Sequence, residues 1–323
     1  MGRRSTLVSW IVRLATLVAL VVLVAAHFAD ARRFATLVEH ARPELLVVAV
    51  ALQIATYGCA GAIWRVVAAS AGYHLRAREL ARLAVERLTV DQLFPAGGMT
   101  GHLVVARALT RLGVPAALAT EALLIDILSF YAAFALATLA SMIVLLVHHD
   151  VTGVVLGLVG AFSVVLATVP LAIGWALRHR SWRPPPWLER RAVVARVADA
   201  IRHASPERVW RPLLLAETGV LQLATFVLDA ATLFATMWAA GAPVHPLTAF
   251  VGLVMGTVAG TVSPFPGGIG GFEAGCTATL ALLGVPVEAA LTGTLLLRGL
   301  TLWLPLGPGL FLARHELRAG RAA

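Results

Sequence analysis

The chain is 323 residues long, 59% hydrophobic and only 13% charged, where soluble domains run near roughly 50% and 25%. At about 20 apolar residues per span, that excludes an ordinary soluble protein and supplies six to eight membrane spans, with little left for a separate soluble domain. The formal charge of +9 comes from 26 basic residues, every one an arginine, against 17 acids. In a membrane chain such an excess gathers on the cytoplasmic side and meets anionic headgroups, so lipids and not nucleic acid are the expected partners.

In chain order, the first apolar run is Leu7 to Phe28. It is too long for a signal-peptide core and has no small-residue cleavage site after it, so it is expected to be a retained span. A second run covers Leu45 to Ala69. The region from Leu75 to Leu112 is apolar but broken at its centre by proline and glycine. Its arms of about 15 residues reach only about 22 Å, short of a core of roughly 30 Å, which predicts a re-entrant hairpin. Spans follow at Leu118 to Val147 and Val151 to Leu177. The polar stretch Arg178 to Arg211 then holds nine arginines against Glu189, Asp199 and Glu207, which marks it as cytoplasmic. Within it Trp187, Leu188, Val194, Val197 and Ile201 recur at helical spacing opposite Arg190, Arg191, Asp199 and Arg202, the pattern of an interfacial helix; a solvated linker is the alternative. Leu213 to Ala240 is the next span. Pro246 to Gly284 is a second broken region whose first arm, to Val262, is near the length of a span. Val287 to Ala313 closes the series.

The chain repeats itself once. LQIATY at Leu52 to Tyr57 returns 169 residues later as LQLATF at Leu221 to Phe226; Phe94-Pro95 returns at Phe265-Pro266, and LGVP at Leu112 to Pro115 returns at Leu283 to Pro286, both 171 residues later. Each half reads as two spans, a broken hairpin and a further span: 1–147 with its hairpin near 75–112, then 148–323 with its hairpin near 246–284. Three crossings per half force the halves into opposite orientation. The expected fold is therefore an all-α polytopic membrane protein, an inverted repeat of three spans and one hairpin each. Both termini are cytoplasmic, as the basic loop 178–211 and Arg3, Arg4, Arg76, Arg78, Arg82 and Arg111 require; Arg32, Arg33 and Arg42 dissent.

The strongest local signal is SPFPGGIGGFE, Ser263 to Glu273. Unpaired backbone at membrane depth is tolerated only where it is buried in protein or lines a wet cavity. Pro266, Gly267, Gly268, Gly270 and Gly271 permit close approach and present N–H groups, and the helix that follows directs its positive end at the break, a site suited to an anionic headgroup. Glu273 in the first turn either caps the same N–H groups or competes with such an anion. The matching break in the first half carries Gly97, Gly98 and Gly101, with His102 and Arg107 in place of an acid. Charges within spans are costly, roughly 2.5–3.5 kcal/mol each; Asp126, Asp229, Glu217 and Arg298 are the ones to explain. The repeat offset brings Asp126 next to Arg298, which predicts that both face one cavity and raises the prospect of an ion pair between them. Two cysteines, Cys59 and Cys276, form no metal or disulfide pattern. No metal or cofactor is expected. His148, His149 and Asp150 are the only His/Asp cluster and read as a solvated turn.

The segment PFPGGIGGFEAGCTATLALLGVPVEAALTGTLLLRGLTLW, Pro264 to Trp303, resembles the C-terminal signature of the lysylphosphatidylglycerol synthase transmembrane (flippase-type) family, and Phe94 to Tyr131 resembles its other recurring element. The resemblance implies a helical membrane domain with two re-entrant hairpins that moves a lipid between leaflets, with Pro266, Gly267, Gly268, Gly270, Glu273 and Arg298 on the second motif. The first motif departs from relatives: Gly101 is followed by His102 and Val104 where a Gly-Glu pair and an arginine are usual, and Leu124 and Ile125 precede Asp126 where a Glu-Arg pair is usual. Headgroup specificity is therefore not inherited. The best-known relatives continue into a soluble aminoacyltransferase domain; this chain is expected to work without one, as a translocator in the cell inner (plasma) membrane rather than an enzyme. No Walker A motif is present, so gradients or mass action must supply the drive. An intramembrane lipid transferase, or a non-catalytic partner of a separate lipid-modifying enzyme, remain the alternatives, with a homodimer also open.

Overall fold

The computed structural model of the chain describes residues 39, 41–93, 99–148, 153–179, 201, 204–263 and 266–301. The expected span at Leu7 to Phe28, most of the interfacial helix after Trp187, the His149-Asp150 turn and the last residues of the final span lie outside them. Among the described residues all regular structure is helical. The helices are α1 (Pro43–Ala69), α2 (Ala77–Leu93), α3 (Met99–Arg111), α4 (Ala116–His148), α5 (Gly153–Arg178), α6 (Pro212–Ala239), α7 (Pro246–Val262), α8 (Gly271–Leu282) and α9 (287–301). Three of them, α1, α4 and α6, are long and apolar enough to cross a membrane. The arms α2, α3, α7 and α8 have 17, 13, 17 and 12 residues. At 1.5 Å per residue none exceeds about 26 Å, below the roughly 30 Å of a hydrocarbon core.

The two halves use the same local signals in the same order. Both α1 and α6 start with an extended arginine, Arg42 or Arg211, followed by proline, whose fixed φ and missing N–H suit the first helical position. Both end ahead of a glycine in the left-handed region, Gly72 at φ 83° and Gly241 at φ 78°, as do α3 and α8, ahead of Gly113 at 88° and Gly284 at 87°. A left-handed glycine after the last turn is the usual way to satisfy the final carbonyls and reverse the chain.

α1 and α6, which carry the two copies of the LQ(I/L)AT(Y/F) motif, lie antiparallel along one another. The start of α1 meets the end of α6 through Arg42 N–H donating to Ala239 O at 3.1 Å, and at mid-helix Gln53 Nε2 donates to Thr232 Oγ1 at 3.2 Å. α4 packs on the other side of α6 through aromatic rings: Phe134 lies 5.4 Å from Phe226 and 5.2 Å from Phe162 of α5, and Phe130 5.9 Å from Phe226. α7 and α8 form a tight antiparallel pair joined by a 3-10 turn at Pro266–Gly268. Gly252 faces Leu280, Gly256 faces Cys276 and Gly260 faces Phe272, and from the other helix Gly275 faces Ala259. A glycine every fourth residue lets two backbones approach until their surfaces touch, the contact by which helices associate where no hydrophobic drive separates protein from solvent. The turn at Pro266–Gly268 also touches α2, so the second break sits beside the first half's hairpin.

Candidate functional site

The second break is organised around Arg298 of α9. Gly267, Gly268 and Gly270 all have positive φ, 64°, 70° and 78°, which folds the chain back between α7 and α8. Gly268 lies against the backbone of Gly260, where an added Cβ would come within 3.0 Å. Ser263 Oγ donates to Ile269 O at 2.9 Å and closes the loop on itself. Glu273, in the first turn of α8, accepts from Gly270 N–H at 2.6 Å through one carboxylate oxygen. It is therefore the helix's own cap, a carboxylate at the positive end of the helix dipole. Its other oxygen accepts from Arg298 Nε at 2.6 Å, while Arg298 Nη2 donates to Gly267 O at 2.6 Å and the guanidinium lies 4.8 Å over the Phe272 ring. Side-chain exposures of 12% for Arg298 and 17% for Glu273 make this a partly sheltered pair.

Asp126 occupies a second polar centre. The prospect of an Asp126–Arg298 ion pair is not realised: Arg298 is engaged by Glu273, and Asp126 has an arginine of its own. Arg87 Nη1 of α2 donates to Asp126 Oδ2 at 3.0 Å, Trp64 Nε1 of α1 donates to the same oxygen at 3.2 Å, and Gln222 Nε2 of α6 donates to Oδ1 at 2.7 Å. Arg87 also lies over the Trp64 ring at 5.7 Å. The physical reason is lateral: the repeat offset gives depth along a helix, whereas partner choice follows from which helices lie side by side; α4 lies against α1 and α6, which supply Trp64 and Gln222, and α2, packed on α1, brings Arg87. Asp126 is 1% exposed, and a buried carboxylate holding a guanidinium and two neutral donors has its lone pairs in use.

A third carboxylate, Asp229 of α6, accepts from Gln53 Nε2 at 2.7 Å and Thr56 Oγ1 at 3.4 Å, both on α1. Gln53 and Gln222 are the same residue of the repeated LQ(I/L)AT(Y/F) motif. Each reaches across to an aspartate of the other half.

The remaining predicted residues are distributed unevenly. Gly271 starts α8, where a Cβ would meet Ala259 O and Ser263 Cβ at 2.8 Å. Pro266 opens the 3-10 turn. Gly101 is buried in the first turn of α3, His102 follows it in the same turn, and Arg107 is exposed further along; Gly97 and Gly98 lie outside the described residues. The structure therefore assembles Gly267, Gly268, Gly270, Gly271, Glu273 and Arg298 into one site and leaves Asp126 and Arg107 apart from it. Sequence reasoning passed over Arg87, Trp64, Gln222 and also Glu121, which is 2% exposed and binds Arg208 and Ser205 N–H ahead of α6. The signal for Gln222 was in the repeat motif itself; Arg87 was hidden by the polar composition of α2. Glu217 is exposed beside Arg211, where they help line a cavity of about 380 Å³. Among the described residues no group of three His, Cys, Asp or Glu is arranged to hold a metal ion.

A comparison with curated proteins finds no match. A family model described as "Lysylphosphatidylglycerol synthase TM region" matches residues 10–309, which takes in both broken helices, both polar centres and the α1–α6 seam, and the chain belongs to that family.

Proposed function

We propose that the chain is a lipid translocator of the cell inner membrane, moving a phospholipid or isoprenoid-linked lipid between leaflets through a cavity between two opposed re-entrant hairpins. The halves in this reading are inverted copies. Support comes from the antiparallel seam of α1 and α6, crossed by the bond of Gln53 to Asp229, and from the bond of the matched Gln222 to Asp126 of α4 in the first half. Membrane lipids are the partners of the reading; a second copy of the chain or a lipid-modifying enzyme are further candidates.

The observation that carries the proposal is the Arg298 guanidinium at the break, held by Glu273 and the Gly267 carbonyl beside glycine backbone. A lipid phosphate matches the same guanidinium fork that Glu273 occupies. The headgroup in this mechanism displaces Glu273 from Arg298, Glu273 stays on the Gly270 N–H, and departure of the headgroup restores the ion pair. The resting pair thereby keeps a charged residue satisfied while no lipid is bound.

The test is leaflet exchange of fluorescent phospholipid in vesicles reconstituted with the full chain. Exchange well above that of empty vesicles is expected, with R298A slowed about tenfold or more and R298K intermediate because it keeps the charge and loses the fork. Exchange equal to that of empty vesicles overturns the proposal.

A further inference from the structure

We infer that Asp229 is the proton-carrying carboxyl of the cycle, exchanging its proton as the two halves rearrange and so coupling lipid movement to a proton gradient; this rests on the translocator reading above. The argument is one of contrast. Among the described residues three other sheltered carboxylates are each matched to an arginine: Asp126 to Arg87, Glu273 to Arg298 and Glu121 to Arg208. A carboxylate paired with a guanidinium has its charge answered by a charge of opposite sign.

Asp229 is placed differently. Its polar contacts among the described residues are Gln53 Nε2 and Thr56 Oγ1, both neutral, and it lies ten residues, about 15 Å, before the end of α6. Among the described residues the helices packed on α6 bring it no arginine within bonding distance: Arg65 and Glu44 of α1 are exposed, α7 carries no charged residue, α4 brings Glu121 and Asp126 with their arginines, and Arg298 of α9 is engaged by Glu273 while Glu288 is exposed. From α1, Tyr57 and Cys59 stand within electrostatic range of it. The Tyr57 hydroxyl is buried and has no hydrogen-bond partner among the described residues, a second polar group in that seam whose bonding capacity is unused.

A carboxyl surrounded by neutral donors accommodates both protonation states, since a hydroxyl and an amide bond either form. Its place on the seam between the halves gives that change a mechanical consequence. Ionised, Asp229 holds the Gln53 amide by a charge-assisted bond; protonated, it holds it by an ordinary one roughly half as strong, and α1 is released to shift along α6.

The test uses the full chain in vesicles of phosphatidylcholine and phosphatidylglycerol, with fluorescent phosphatidylglycerol as probe and a pH difference across the bilayer. For one proton per lipid, the wild-type protein is expected to shift the probe's leaflet ratio about tenfold per pH unit, and D229N to keep downhill exchange while ignoring the gradient. Wild-type exchange indifferent to the gradient, or D229N responding as wild type does, overturns the inference and leaves the translocator reading intact. Absence of any wild-type exchange removes that reading and the inference together. Should D229N fail to fold, Q53M removes the nearer donor at similar volume and is expected to move the midpoint of the exchange-rate pH profile by about one unit; an unmoved midpoint overturns the inference.

Discussion

At the scale of single residues, the chain treats its intramembrane charges by two different rules. Asp126 is saturated, with Arg87, Trp64 and Gln222 converging on a carboxylate that solvent does not reach. Removing one member of such a buried pair leaves the other charge uncompensated, so R87A is expected to cost about 3 kcal/mol, read as a lowered unfolding midpoint in detergent. The R87A/D126N double variant is expected to recover more than half of that loss, because it removes the stranded charge as well. Equal stability of wild type and R87A would show that Trp64 and Gln222 alone satisfy the carboxylate. That Asp126 and Arg298 need polar partners was legible in the sequence from the cost of charge in an apolar run. Their partners were not. Arg87 sits in an arm whose composition, ARELARLAVERLTVDQL, offers three arginines, and only the packing of α2 on α1 selects the one that reaches Asp126.

At the scale of helices, length and punctuation were legible almost throughout. The run read as Leu45 to Ala69 is the helix Pro43–Ala69, Leu118 to Val147 is Ala116–His148, and Leu213 to Ala240 is Pro212–Ala239. Hydropathy marks the apolar stretch, and proline before it or glycine after it marks the ends. The α7–α8 contact was not read from sequence, because attention went to the glycines of the break and not to Gly252, Gly256 and Gly260 spaced four apart along α7. An added Cβ at Gly256 would lie 2.7 Å from Cys276 Cβ and 3.2 Å from its backbone, so G256V must push the two helices apart. A loss of about 2 kcal/mol is expected, the scale of overpacking a close contact. Gly58, also helical, has nothing within 4 Å of its would-be Cβ, and G58A is expected to be neutral or to stabilise by up to about 1 kcal/mol through helix propensity. Thermal melts of the two variants side by side test the crossing; similar behaviour would mean that α7 and α8 separate at little cost.

At the scale of the whole molecule, the proposed inverted arrangement makes a prediction that chemical labelling decides. His74 and His245 are equivalent positions in the two halves, and both are exposed just ahead of α2 and α7. In a background with Cys59 and Cys276 replaced by alanine, H245C is expected to react with an impermeant thiol reagent added outside intact cells. H74C is expected to react only after the membrane is opened. Labelling of both from the same side would rule out inverted halves. The matching motifs were legible because they kept their order and spacing. The bonds of Gln53 and Gln222 were not, since they depend on α6 lying against α1 and α4.

The paired glycines that end matching helices have a practical side. Gly113 and Gly284 adopt the same left-handed turn, at φ 88° and 87°, with open space where a side chain would go. Alanine at either meets the same backbone penalty, on the order of 1–2 kcal/mol, in two different surroundings. The molecule thus contains its own control experiment: any difference between G113A and G284A measures what one half does that its copy does not, with chain, detergent and assay held constant.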